Sequence, residues 1–154
     1  MTIHVVYHSD TGNTKKIADE IFQGIEKDDK NLVKIGDVDL DSIDGSELVF
    51  IGFPTIAGKP SASVTKFIGK MPTSVRRTAI FCTHSGLNNM ALKEAERNLS
   101  RRRIRVIGSF DCMGEASDKV KGLLGKFEDQ WKGHPNGEDL LNAREFGKEM
   151  SKGL

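Results

Sequence analysis

Apolar and polar positions alternate between two periods along this chain. Residues 3–8 (IHVVYH) read as a strand, and residues 13–27 follow with Ile17, Ile21, Ile25, Ala18 and Phe22 at helical spacing. A second strand is predicted at 31–36, diluted by Lys34 and Gly36. Residues 47–53 (ELVFIGF) form a continuous apolar run, the pattern of a strand covered on both faces. Val64, Phe67 and Ile68 predict a short helix after Pro60. Strands four and five fall at 77–83 (RTAIFCT) and 103–112 (RIRVIGSFDC), and Leu92, Ala95 and Leu99 place a helix over 88–101 between them. Val120, Leu123, Leu124, Phe127 and Trp131 mark one stripe of a further helix. A last helix starts after His134-Pro135-Asn136, where Asn136 is placed to cap and Glu138 and Asp139 complement the dipole.

Alternation of this kind implies an α/β fold, a doubly wound five-stranded parallel sheet with helices on both faces. Right-handed crossovers leave few topologies, of which the strand order 2-1-3-4-5 is a common one. Ligands then bind at the carboxyl ends of the strands. No internal repeat, low-complexity tract or linker interrupts residues 1–154, so one domain is expected.

Composition narrows the function. Lys and Arg number 23 against 22 Asp and Glu, a formal net charge of +1. That balance argues against a dedicated nucleic-acid binder. No apolar run approaches the length of a membrane-spanning helix, so membrane insertion is not expected. The start of the chain, Met-Thr-Ile-His-Val-Val-Tyr-His, lacks the charged and apolar regions of a signal peptide. Cys82 and Cys112 lack zinc-site spacing and are too few for a disulfide scaffold. The expectation is a cytoplasmic protein whose two thiols are small, reduced, buried side chains.

The topology says where chemistry belongs. Strands one, three, four and five run into Ser9-Asp10-Thr11-Gly12-Asn13-Thr14, Pro54-Thr55-Ile56-Ala57-Gly58-Lys59, His84-Ser85-Gly86-Leu87-Asn88 and Met113-Gly114-Glu115. In the first, hydroxyl and amide side chains crowd one glycine between a strand and the first turn of a helix. The glycine allows a tight turn, and the orphan N–H groups of the helix start point into the loop. Such a loop surrounds a terminal phosphate without Arg or Lys. A plain helix N-cap with an Asx turn needs only one or two of these residues.

Here the chain resembles a known family. Ser-Asp-Thr-Gly-Asn-Thr after the first strand resembles the T/S-x-T-G-x-T phosphate loop of flavodoxins, which bind FMN. Glu47-Leu-Val-Phe-Ile-Gly-Phe-Pro and Ala79-Ile-Phe-Cys-Thr-His-Ser-Gly are similar to that family's third and fourth strands with their ring-flanking loops. The resemblance implies that Ser9, Asp10, Thr11, Gly12, Asn13 and Thr14 hold the phosphate. It implies that Pro54, Thr55, Ile56, Ala57, Gly58 and Lys59, with Thr83, His84, Ser85, Gly86 and Asn88, border the isoalloxazine ring. Gly58 matches the glycine whose peptide turns a carbonyl toward ring N5 on reduction, which its conformational freedom permits. Three departures from the family pattern stand out: ring loops without aromatics other than Phe53 and His84, a neutral overall charge, and 42 residues after Cys112. The tail from His134 to Phe146 looks like that of family members from anaerobes.

Other chemistries on this architecture lack their residues. Phe53 stands where a response regulator needs Asp, and Asn88 where a Cys-x5-Arg phosphatase needs Arg after Cys82. No Gly-x-Gly-x-x-Gly follows strand one. The acidic stretch from Asp37 fails as a calcium loop, with Ser42 and Leu48 at positions that need Gly and Glu. His4 lies mid-strand and reads as a packed or hydrogen-bonded histidine, and Trp131 as core. Arg101-Arg102-Arg103-Ile104-Arg105 reads as a solvated helix terminus whose cations suit the dipole, with a docking patch for an acidic partner as the other reading. Two functions remain open: an FMN-dependent low-potential electron carrier between transiently bound redox proteins, and an NAD(P)H-dependent FMN or quinone reductase.

Overall fold

A computed structural model describes residues 2–85, 90–117, 121–125 and 128–154. Five strands, β1 (Ile3–Tyr7), β2 (Lys30–Lys34), β3 (Leu48–Ile56), β5 (Arg77–His84) and β6 (Arg105–Met113), form a parallel sheet in the order β2-β1-β3-β5-β6. In chain order this is 2-1-3-4-5, as the alternation of periods predicts. A two-residue strand, β4 (Lys59–Pro60), pairs antiparallel with the end of β3.

Each face of the sheet has its own core. Successive residues of a strand point to opposite faces. Along β3, Leu48 and Phe50 therefore join one cluster while Val49, Ile51 and Phe53 join the other. The first cluster lies under α1 (Asn13–Gly24), through Ile17, Ala18 and Ile21, and under α7 (Gly137–Ser151), through Ala143. The second lies under α2 (Leu40–Ile43), α3 (Ala62–Lys70) and α4 (Ala91–Arg101), through Ile43, Val64, Phe67, Ile68, Ala91, Ala95 and Leu99. Both faces of the central strands are thus dry, and the apolar run at 47–53 follows from that.

Helices α1 and α7 touch backbone to backbone. A Cβ at Gly24 would fall on the Arg144 carbonyl oxygen, and one at Gly147 on the Ile21 carbonyl oxygen. Salt bridges Arg144–Glu20 and Lys148–Glu26 lie along the same contact. At the start of α7, Asn136 accepts from the Asp139 N–H and the Asp139 carboxylate accepts from the Asn136 N–H, a full capping box at the predicted cap.

Three sequence expectations change. The stripe from Val120 to Trp131 predicts one helix, whereas two short ones are described, α5 (Lys121–Leu124) and α6 (Glu128–Trp131). Val120 and Phe127, and the side chains of Leu123 and Leu124, lie outside the described residues. Trp131 is core, buried with Ala116 against Met113. Second, β6 begins at Arg105, because Arg102 and Arg103 turn the chain after α4 and Arg103 is left-handed (φ 61°). Third, Arg102 is no solvated terminus. Its guanidinium donates to the carbonyls of Gly69 and Met71, satisfying orphan acceptors at the end of α3. A rigid planar fork that reaches a neighbouring helix is legible only once α3 and α4 lie side by side.

Candidate functional site

The carboxyl ends of β1, β3, β5 and β6 converge on one edge of the sheet, and side chains tie their loops together. Between β1 and α1 the chain turns at Gly12, which is left-handed (φ 92°). A Cβ there would meet nothing within 4 Å, so the demand for glycine is conformational, not steric. The Ser9 hydroxyl accepts from the Gly12 N–H (3.1 Å) and the Lys15 N–H (3.3 Å). The first intrahelical bond runs from Lys16 to the Gly12 carbonyl. The N–H groups of Asn13 and Thr14 precede the first intrahelical acceptor, and no hydrogen bond to either is found among the described residues.

The loop is fixed from both sides. Thr14, fully buried, shares a 3.0 Å hydrogen bond with the hydroxyl of Thr83 at the end of β5. Asn13 donates its amide to the Glu115 carbonyl (2.9 Å), and Gly114 packs so closely that a Cβ there would lie 2.8 Å from that amide. Asp10 pairs with His8 (3.0 Å), and Thr11 stays exposed. Beside the loop a cleft of about 240 Å³ opens at the ends of β1 and β2, lined by His8, Ser9, Gly12, Lys15 and Lys34 among others.

Pro54 to Lys59 does not form an irregular loop. Thr55 and Ile56 pair with Pro60 and Lys59 around a two-residue turn in which both Ala57 (φ 50°) and Gly58 (φ 77°) are left-handed. Positive φ at both central positions is the hairpin turn that matches strand twist. The hairpin holds Ile56 half exposed at its tip, 50 %, with Lys59 also exposed.

At the end of β5, the Gly114 N–H donates to the His84 carbonyl (2.8 Å) and Ser85 donates to the Gly114 carbonyl (2.7 Å). His84 Nε2 meets Asp111 Oδ2 at 2.9 Å, while its Nδ1 is buried without a hydrogen bond among the described residues. The bond to His84 holds the Asp111 carboxyl below its ordinary range, against partial desolvation. Gly86 and Asn88 lie outside the described residues, so the second ring-flanking loop is visible only at Thr83–Ser85 and again at Met90. Cys112 is buried beneath this edge, and desolvation pushes its thiol far above the usual range. Such a thiol stays protonated and is no nucleophile at neutral pH.

The sequence places Glu115 at this edge but not its partners, and it gives no role to His134 or Met90. Glu115 accepts the Gly133 N–H on its carboxylate, and its own N–H donates to the His134 carbonyl, both at 2.9 Å. His134 Nδ1 lies 2.6 Å from Asp139, the capping residue of α7. The long C-terminal segment is therefore hooked to the phosphate loop through Glu115 and Asn13. Met90, exposed at 46 % at the start of α4, is a second exposed large apolar side chain, and α4 packs against the β4 hairpin that carries Ile56. Of the rest, only the tail itself could be noticed beforehand, as surplus length after strand five. Phe53, one of two aromatics near the ring loops, points into the core and reaches no rim.

Residues 4–148 match the flavodoxin domain family. The chain belongs to the flavodoxins. It is 30 % identical over 142 residues to an uncharacterized protein of Methanocaldococcus jannaschii, covering 91 % of each chain. It is also 30 % identical over 145 residues to the flavodoxin-like domain-containing protein BilS of Clostridioides difficile, covering 88 % of this chain and 77 % of that one. Among solved structures, a flavodoxin from the domain Archaea superposes with a TM-score of 0.75 at 22 % identity, covering 98 % of this chain and 96 % of the other. The site fits the family's flavin at its phosphate end. The helix-start amides of Asn13 and Thr14 and the Thr11 hydroxyl, unpaired among the described residues, form a neutral donor set of the kind a terminal phosphate requires, in a loop turned by the left-handed Gly12. No described helix is long and apolar enough to cross a membrane.

Proposed function

We propose that this flavodoxin binds FMN through the loop from Ser9 to Thr14 and works in the cytoplasm as a low-potential electron carrier between transiently docked redox proteins. One observation carries the reading: Asn13 bonds the Glu115 carbonyl and Thr14 the Thr83 hydroxyl, which fixes the start of α1, with its orphan amides, against the ends of β5 and β6. Bound FMN supplies the one- and two-electron chemistry. The protein's part is to orient it. Ser9 holds the loop shape, Thr11 offers a free hydroxyl, and the hairpin at Ala57–Gly58 presents backbone to the ring edge. Lys59 sets a cation beside that edge. The converging loops are already bonded to one another, which supports a single bound flavin and a protein partner over a second small substrate.

A reductase reading, in which NAD(P)H reduces the flavin for delivery to a quinone, draws on one feature. The exposed side chains Ile56 and Met90 are aliphatic, and the ring-flanking loops carry no Trp or Tyr to cover the ring, which would leave a face open to stacking. Anaerobic stopped-flow mixing with NADPH separates the two: a carrier is reduced slowly, while rapid turnover with added quinone assigns the enzyme. The phosphate assignment has its own test. Hydrogen bonds to a charged group are worth about 1.5–3 kcal/mol each. Replacing Thr11 by Ala should weaken FMN by about 1.5–3 kcal/mol while riboflavin binding stays nearly constant. Equal affinity of the native protein for riboflavin and FMN would refute it.

A further inference from the structure

The near-neutral chain hides a strong division of charge. Residues 59–105 contain eleven Lys and Arg but only two acids, Glu94 and Glu96, a formal +9. The rest of the chain carries the compensating −8. Residues 59–105 run from the site hairpin through α3, β5 and α4 into the start of β6. Helices α3 and α4 share one face of the sheet with α2, whose surroundings carry the exposed acids Asp37, Asp39, Asp41 and Asp44, so the positive surface belongs to the α4 side of that face.

The cations are densest on α4. Lys93, Arg97 and Arg101 follow one another at four-residue spacing, so they stand on one stripe of the helix, and all three are exposed. They line one shallow depression with Ser100 and Glu96. None of the three makes an ion pair among the described residues, although neighbouring like charges at this spacing destabilise a helix. The stripe starts at the rim: α4 begins beside Met90, and the β4 hairpin carrying Ile56 and Lys59 packs against it. At 1.5 Å per residue, Lys93 and Arg101 lie about 12 Å apart along the axis.

We infer that the α4 stripe, with Ile56 and Met90 at its upper end, is the docking surface for a partner protein whose own contact face is acidic. The apolar pair supplies the dry centre of such an interface and the cations its charged rim. Complementary charge steers encounter and sets orientation, which suits a brief contact. An acidic protein is favoured over an extended polyanion because the stripe ends at the candidate flavin edge instead of continuing around the molecule. The inference rests on the carrier reading for the partner's redox role, but the surface chemistry stands apart from it.

The test uses FMN-loaded protein on gold coated with carboxylate-terminated or amine-terminated monolayers. Adsorbed mass is followed by surface plasmon resonance and the flavin by voltammetry. Native protein should adsorb at least tenfold more to carboxylate than to amine at low ionic strength, lose this in high salt, and show a flavin wave on carboxylate alone. Lys93→Glu/Arg97→Glu/Arg101→Glu should abolish the preference. The equal change of charge in Lys132→Glu/Lys148→Glu/Lys152→Glu should leave it. Circular dichroism and solution FMN titration establish that each variant is folded and loaded, and Gln at the three α4 positions gives a milder change if Glu disrupts the helix. Adsorption equal on both surfaces, or unaffected by the α4 substitutions, overturns the proposal. So does equally tight, α4-dependent cosedimentation with phosphatidylglycerol vesicles at physiological salt, which would assign the face to membrane. Carboxylate-selective adsorption without any flavin wave, in a chain that also fails to bind FMN in solution, refutes the carrier reading and leaves the docking surface standing.

Discussion

Single residues set the chemistry at the rim. Lys59 occupies an exposed position next to the left-handed Gly58, and under the proposed flavin binding a cation there would favour negative charge on a reduced ring. An exposed charge pair is worth about 0.2–1 kcal/mol. For a one-electron couple, with roughly 59 mV per tenfold change, that is about 10–40 mV. Lys59→Glu should lower the second one-electron potential of bound FMN by up to about twice that, since the charge is reversed. The shift should shrink in high salt. Spectroelectrochemistry at low ionic strength checks it, and an unchanged potential would leave Lys59 as solvated surface. Residue identity alone placed Lys59 beside the glycine, because adjacency in sequence is adjacency in space across one peptide bond. It placed neither Met90 at the rim nor Phe53 in the core, since those depend on which face of β3 and which end of α4 meets the site.

At the scale of elements, the ring-side hairpin carries backbone strain. Ala57 is left-handed at φ 50°, a conformation that costs an L-residue roughly 1–2 kcal/mol. Ala57→Gly removes that cost but adds the backbone entropy of glycine, roughly 0.5–1 kcal/mol. A net gain of about 0.5–1 kcal/mol in urea unfolding is expected from those two figures. Loss of stability would show that Ala57 is not held in this conformation in solution. Strain of this kind gathers where a ligand is received. The resemblance singles out Gly58 for its conformational freedom, yet the alanine beside it takes the same unusual geometry because β4 pairs back onto β3.

The whole molecule depends on how its two layers meet the sheet. With Gly147 pressed on the Ile21 backbone, Gly147→Ala must push α7 off α1. Overpacking costs typically about 1–3 kcal/mol, and a contact with backbone leaves little room to relax. Chemical denaturation should show at least that loss, and full native stability would mean the helices are spaced more widely. The opposite layer holds His4, buried under α2 beside the Ser42 backbone. Burial lowers its pKa from 6.5, opposed in part by the Ser42 backbone and the Asp29 charge. Above pH 6.5 both folded and unfolded chains hold it neutral, so it costs nothing there. As pH falls below 6.5 the unfolded chain binds the proton first, and stability drops until the folded pKa is passed. His4→Leu should flatten the stability profile in that acid window and leave it unchanged near pH 8. An identical acid slope in the variant would place the titrating group elsewhere.

Sequence by itself determined the order of elements, the parallel sheet with both faces covered, the capped start of α7 and the donor-rich loop after β1. All of these rest on spacing along the chain: period two, period 3.6, a glycine at a helix start, an Asn three residues before an Asp. Tertiary structure alone decided what the loop's side chains do. Ser9 turns inward to shape the loop, while Thr14 joins Thr83 and Asn13 joins Glu115, across 69 and 102 residues. It also converted Arg102 from a surface charge into a clamp on α3. The excess of cations was present in the sequence as a run from 59 to 105, but it becomes a stripe only because α4 packs through Ala91, Ala95 and Leu99 and leaves Lys93, Arg97 and Arg101 exposed. Local propensity acts over a few residues, whereas a hydrogen bond or a charged surface is defined by which distant segments the fold brings within a few ångströms.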